Sequence, residues 1–177
     1  PDLIINDCAD KLKDACSKNA DDESDRLAIQ LESPTDGYVD CAGGAHNRAV
    51  LFANVFWLDG DDLVCRAWDS NAQKWFSNKQ TLVSGIDSFQ VQYGINDEID
   101  INNLNVSQYE GAVPAGAGSI LNIKVALLSV SGEGNLLESK EREYIVLDAD
   151  PVTYNDASIR QIYSTTVSIP NNPFAIK

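Results

Sequence analysis

The segment LVSGIDSFQVQYGIND, Leu82–Asp97, opens on a glycine turn, alternates for six residues and reaches a second glycine. Phe89, Val91 and Tyr93 fall on one side, and Ser88, Gln90 and Gln92 on the other. That is the pattern of a half-buried strand between two turns. It carries no nucleophile, no metal-ligand set and no phosphate loop. The clearest motif of the chain is therefore scaffold, and its surroundings must say what the scaffold holds up.

On either side the same signals recur. RLAIQLE (residues 26–32) alternates, with Leu27, Ile29 and Leu31 on one face, and SPTDG then supplies a proline- and glycine-bearing turn. RAVLFANVFWLDGDDLVCRA reads as a hairpin: Val50, Phe52, Phe56 and Leu58 share a face, DGDD turns the chain, and Leu63 and Cys65 return. WDSNAQKWF is a second hairpin tip between two aromatic flanks. Beyond Asn96 lies a long polar, glycine-rich stretch, in which Val106–Ala112 is expected to form one helical turn. SILNIKVALLSVS then reads as a long strand with Leu121, Ile123, Val125 and Leu127 inward, and GEGN turns it. EREYIVLD and ASIRQIYSTTVSI are the last strands. Asp7–Lys18 reads as a short helix with Cys8, Leu12, Ala15 and Cys16 on a narrow apolar face. The expected fold class is α+β, mostly β, in a single domain over residues 1–177, with antiparallel sheets and a helical N-terminal edge.

The 177 residues suffice to bury a sizeable core without help. Net charge is −14, from 27 acidic and 13 basic residues. Such a surface repels phosphates, which argues against nucleic acid as a partner, and it keeps an exported protein in solution. No run of about 20 apolar residues is present to span a bilayer. Methionine is absent, even from position 1, so the chain reads as a processed piece of something longer.

Cysteine use points to an oxidising compartment. Cys8, Cys16, Cys41 and Cys65 form no CxxC pair, which argues against zinc ribbons and thioredoxin-type sites, and their even number reads as two disulfides. Three pairings exist. Cys8–Cys16 closes a local loop and Cys41–Cys65 flanks the first hairpin, so that pairing is the one expected. It conflicts with an unbroken helix over Asp7–Lys18. Eight residues of ideal helix span roughly 12 Å, whereas bridged Cα atoms lie within about 7 Å. The bridge is preferred to the helix.

Catalytic chemistry finds few residues. His46, in GGAHNR, is the one histidine, which leaves no two-histidine metal site. No GxSxG elbow accompanies it, and the expected reading is an exposed loop histidine. The acids Asp59, Asp61 and Asp62, and again Asp97, Glu98 and Asp100, suit acid–base work or calcium in type. They lack the spacing of a calcium loop and read as solvated turns. Trp57, Trp68 and Trp75 suit sugar stacking if exposed and core packing if not. No enzyme activity, metal or cofactor is expected.

The order of the pieces resembles the PilW family of minor pilins from type IV pilus systems. DRLAIQ is followed by Asp40 and Cys41, then by a strand pair ending DLVCRA at Cys65, then by LVSGIDSFQVQYGI, VSQYEGA, ILNIKVALLSVS and RQIYSTTVSIPN. Pro170 stands where the family often has arginine. The resemblance implies a pilin-like headpiece packed on the end of an N-terminal helix not contained in this sequence, with a leader and a glutamate-bearing apolar segment ahead of it. It implies a non-enzymatic subunit of the priming and tip complex, working with other minor pilins and a tip adhesin. The whole protein would be anchored in the inner membrane, then carried to the extracellular pilus tip, and the isolated headpiece would be monomeric. The alternatives are a secreted carbohydrate- or protein-binding β-domain and a minor pseudopilin of type II secretion.

Overall fold

A computed structural model of the chain describes residues 16–19, 23–32, 37–47, 49–76, 78–96, 105–112, 119–132 and 136–169. Every regular element among them is a strand. In order these are β1 (Leu27–Glu32), β2 (Tyr38–Val39), β3 (Ala45–His46), β4 (Leu51–Asp59), β5 (Asp62–Asp69), β6 (Lys74–Trp75), β7 (Gln80–Ser84), β8 (Ile86–Asn96), β9 (Gln108–Glu110), β10 (Ser119–Val130), β11 (Lys140–Tyr144), β12 (Val152–Asp156) and β13 (Arg160–Ser168). The chain divides into two compact units, with the change at Ile86/Asp87; residues 16–18 fall in the first, and Asn19 and Glu23 in the second.

In the first unit, β1, β4 and β5 pair in turn, and β6 and β7 share the far edge of β5. The β4–β5 hairpin closes where Asp59 opposes Asp62 across Gly60 and Asp61. At the second tip Trp68 opposes Trp75 and Asp69 opposes Lys74. Asp69 shapes that tip, because its Oδ1 accepts the Asn71 and Ala72 N–H groups at 2.9 and 2.8 Å. Alternation gives the sheet two faces. One buries Ala28, Ala53, Val55 and Trp68. On the other, the fully buried Phe52 packs against Tyr38, His46 and Phe76, with ring centroids 5.1, 5.4 and 6.5 Å away.

The small β2–β3 ribbon is fastened by its own loop. The buried Asp40 carboxylate accepts the Ala42 and Gly44 N–H groups at 2.9 Å each and lies 2.8 Å from His46 Nε2. A disulfide joins Cys41 to Cys65 of β5, Cα to Cα 6.1 Å. Cys16 is buried and disulfide-bonded; the Cys8 of the expected Cys8–Cys16 pair lies outside the described residues. His46 is corrected here. It is not a solvent-exposed loop residue, since its side chain is 10% exposed, held by Asp40 and wedged between Phe52 and Phe76.

The second unit holds a sheet ordered β13, β10, β8, β9 and the separate ribbon β11–β12. Gly85, at φ +76°, breaks the chain between β7 of the first sheet and β8 of the second. A side chain there would be strained in that left-handed conformation. The opening motif is thus a strand, but not a half-buried one. Phe89, Val91 and Tyr93 are at most 2% exposed, and Ser88 and Gln90 on the opposite face are buried as well. Gln90 meets the polar cost by donating Nε2–H to Glu23 O at 2.9 Å and to Ser88 Oγ at 3.3 Å. Nor does the strand stop at Gly94. A Cβ there would overlap the Asn122 side chain of neighbouring β10, so this glycine permits close approach and the strand runs on to Asn96.

Three other expectations change. Residues 16–18, the end of the expected helix, are not helical, and Lys18 pairs with Arg26 through two backbone bonds of 2.9 Å. The rest of that helix lies outside the described residues. The helical turn expected over Val106–Ala112 contains β9, whose Gln108–Glu110 pair with Ile95, Gly94 and Tyr93. In β10, Ile123 is buried, yet Ala126 and Leu128 of the opposite face are buried deeper, under Val146, Tyr144 and Tyr154.

Arg160 fastens the start of β13. Its Nε donates to Asp87 at 2.5 Å, Nη1 and Nη2 meet the two oxygens of Asp156 at 2.8 Å each, and the guanidinium lies 3.6 Å over the Tyr154 ring. Those hydrogen bonds hold the arginine's pKa above its usual value. The Asp156 carboxyl is held below the ordinary aspartate range, first by Arg160 and then by the Ser158 N–H.

Two outcomes are expected. Phe52→Ala, which empties a fully buried ring site, lowers unfolding free energy in urea by about 3–5 kcal/mol, while Tyr163→Ala on the exposed β13 stays within about 0.5 kcal/mol. Equal losses would contradict the assigned core. Because Asp156 has a lower pKa folded than unfolded, its stabilisation is full above the ordinary aspartate value and is lost as pH falls through the folded value. Urea midpoints of the parent and Asp156→Asn should therefore differ at neutral pH and converge in acid. A gap that widens in acid would refute the assignment.

Candidate functional site

On the first sheet, strand parity gathers the three tryptophans. Ala53, Val55 and Trp57 of β4 share a face with Val64, Arg66 and Trp68 of β5, and Trp75 of β6 lies opposite Trp68. Trp68 is 8% exposed, with its Nε1–H buried and unpartnered. Trp75 stands edge-on to it, centroids 5.1 Å apart and planes at 79°, and Trp57 lies 6.3 Å from Trp75. The core reading holds for Trp68, and the other two are half-buried.

Arginines flank the half-buried rings. Arg66 lies 4.7 Å from the Trp75 centroid and Arg26 lies 5.7 Å from that of Trp57, within the range of cation–π attraction. Arg26, Trp57, Arg66 and Trp75 line an open cleft of about 240 Å³. Sequence reading singled out the tryptophans and missed their arginine partners. The signal was available, because Arg66 sits two residues before Trp68 and so shares its face.

The groups lining this cleft are of the kind that recognise a partner rather than react with one. Planar cations and indoles bind through area and directed charge, and tryptophan and arginine are the residues over-represented among energetic anchors of protein interfaces. A bare sugar-stacking platform is a poorer match, since a guanidinium lies near each half-buried ring. Among the described residues no three His, Cys, Asp or Glu side chains converge to hold a metal ion. Asp59 and Asp62 flank the hairpin turn, with Lys79 paired to Asp59 and Thr81 Oγ1 donating to Asp62 at 3.3 Å. Asp97, Glu98 and Asp100 lie outside the described residues. No described helix is long and apolar enough to cross a membrane.

No curated protein matches the chain. Among solved structures it is similar to the type IV-like pilin TTHA1219 from Thermus thermophilus, at a TM-score of 0.58 over 88% of this chain and 82% of that one. At 12% identity the likeness speaks for a pilin-like fold alone. A family model described as Type IV Pilus-assembly protein W matches residues 55–171, from the middle of β4 past the end of β13. That match spans well over half of the sequence, and the chain belongs to the PilW family of type IV pilus-assembly proteins.

Proposed function

We propose that the chain is the headpiece of a non-enzymatic minor pilin that works in the priming and tip complex of a type IV pilus. The observation that carries this reading is the PilW match over residues 55–171, laid on a mostly β, pilin-like fold. Other minor pilins and a tip adhesin are its partners. An apolar helix ahead of the headpiece holds the whole protein in the inner membrane until assembly, with the headpiece on the periplasmic side. The Arg26–Trp57–Arg66–Trp75 cleft supports the reading, because an assembly subunit needs recognition surface and no reacting groups. The acidic net charge supports it too, since a headpiece at −14 does not self-associate readily without a directed contact.

The helix would carry most of the subunit's hold on its neighbours, at roughly 1.5–3 kcal/mol for each large apolar side chain buried. Deleting the gene in its host should therefore abolish surface pili and twitching. Full-length protein should restore both, and the headpiece exported alone on a cleavable signal should restore neither. Unchanged piliation in the deletion strain would refute the assembly role. Full restoration by the headpiece alone would refute the place given to the helix.

A further inference from the structure

β13 leaves one long edge unpaired among the described residues. β13 ends its sheet and pairs with β10 from Asn122 opposite Ser168 to Val130 opposite Arg160. Just beyond the two ends of that ladder, Ile169 N donates to Leu121 O at 2.9 Å and Ser131 N donates to Ile159 O at 2.8 Å. In an antiparallel pair the hydrogen-bonded residues alternate. The odd-numbered residues of β13 therefore face β10. Ile162, Ser164, Thr166 and Ser168 turn their N–H and C=O groups away from it. Among the described residues no backbone group meets that outer edge.

Exposed edges are ordinarily blunted by shortness, charge, proline, bulges or cover. The other edges follow this rule. β7 is short, joins β5 through a bulge at Leu63/Val64, and has the Lys79–Asp59 ion pair beside it. Along β1, Ser17 Oγ accepts the Ala28 N–H at 2.9 Å and Lys18 bridges Arg26. β9 has three residues, and β11 carries Lys140, Glu141, Arg142 and Glu143 in succession. Among the described residues β13 has none of these devices. It is nine residues long and exposed from Gln161 to Ser168, with no lysine, acid or proline. Its one charge, Arg160, is occupied by Asp87 and Asp156.

We infer that the outer edge of β13 is a β-addition site, occupied in the assembly by an extended segment, free of acidic residues, of another pilus subunit. The inference rests on the pilus-subunit reading above. Backbone pairing supplies the hold in this mode, and alternate side chains supply selectivity. Here Tyr163, Thr165 and Val167 line one side and Ile162, Ser164 and Thr166 the other. The partner segment is free of acidic residues because β13 offers no free cation and the chain carries −14. The same charge on both sides disfavours a second copy of this chain.

The test uses full-length protein in the deletion strain. Ser164→Pro removes one outward N–H and leaves the ladder to β10 intact. The pair Ile162→Lys with Thr166→Lys charges the edge and removes no backbone donor. A photo-crosslinking benzophenone residue at Thr166 reports the neighbour by mass spectrometry of the linked peptides. The expected result is an adduct to an acid-free segment of another pilus subunit, lost with Ser164→Pro, together with loss of piliation in either variant at normal protein level. An adduct unaffected by Ser164→Pro, an adduct between two copies, no adduct, or wild-type piliation from the double-lysine variant would each overturn it. Wild-type piliation from the edge variants in a strain whose deletion is bald fails the edge alone. A piliated deletion strain fails the assembly role, and the crosslink then still reports on the edge.

Discussion

A strand buried on both faces must satisfy every polar group it carries, and β8 imposes that constraint on the second unit. Phe89, Val91, Tyr93 and Ile95 fill one side. On the other, Gln90 is 2% exposed and its amide is spent on Glu23 O and Ser88 Oγ. Leaving such a group unpaired costs roughly 1–3 kcal/mol. The position of Glu23, far away in sequence, is therefore coupled to a strand it does not adjoin. Gly94 then lets β10 approach closely enough to carry Asn122, whose buried Oδ1 has no partner.

The parts of the fold legible in the sequence were those written in local chemistry. Asp59-Gly60-Asp61-Asp62 closes its hairpin because glycine and short acids suit a two-residue turn. RLAIQLE and the closing segment are strands as read, although their burial does not alternate: Leu27 and Ala28 are both buried, and Gln161 to Ser168 are all exposed. What failed depended on distant contacts. Nothing near Gln90 in sequence shows that its face would be covered. His46 read as exposed because its partners, Asp40, Phe52 and Phe76, come from three separate segments. β12 was missed because VTYND holds a single apolar–aromatic alternation between turn residues, and its pairing with β11 is what makes it a strand. At the cleft the tryptophans were visible, and the arginines were not singled out.

Charge is distributed to a purpose. The chain is strongly acidic, and four of its thirteen basic residues lie against aromatic rings: Arg26 and Arg66 over indoles, Lys124 near Tyr109, Arg160 over Tyr154. Guanidinium groups so placed keep their aliphatic stems packed and their planes oriented. An acidic body with ordered cationic–aromatic patches repels most surfaces at a distance and recognises a few at contact.

The bridge between Cys41 and Cys65 also has a mechanical meaning. It spans a sequence separation of 24 residues that includes all of β4 and the hairpin turn. When the chain is drawn from its ends, tension bypasses that loop through the two sulfurs, so the load does not run through β4. Roughly 80 Å of extensible length, at about 3.3–3.6 Å per residue, is withheld. Trp57 of the arginine–tryptophan cleft lies inside that loop with the whole of β4, so this strand is spared from stretching, and reducing the bridge would hand it over to the pull.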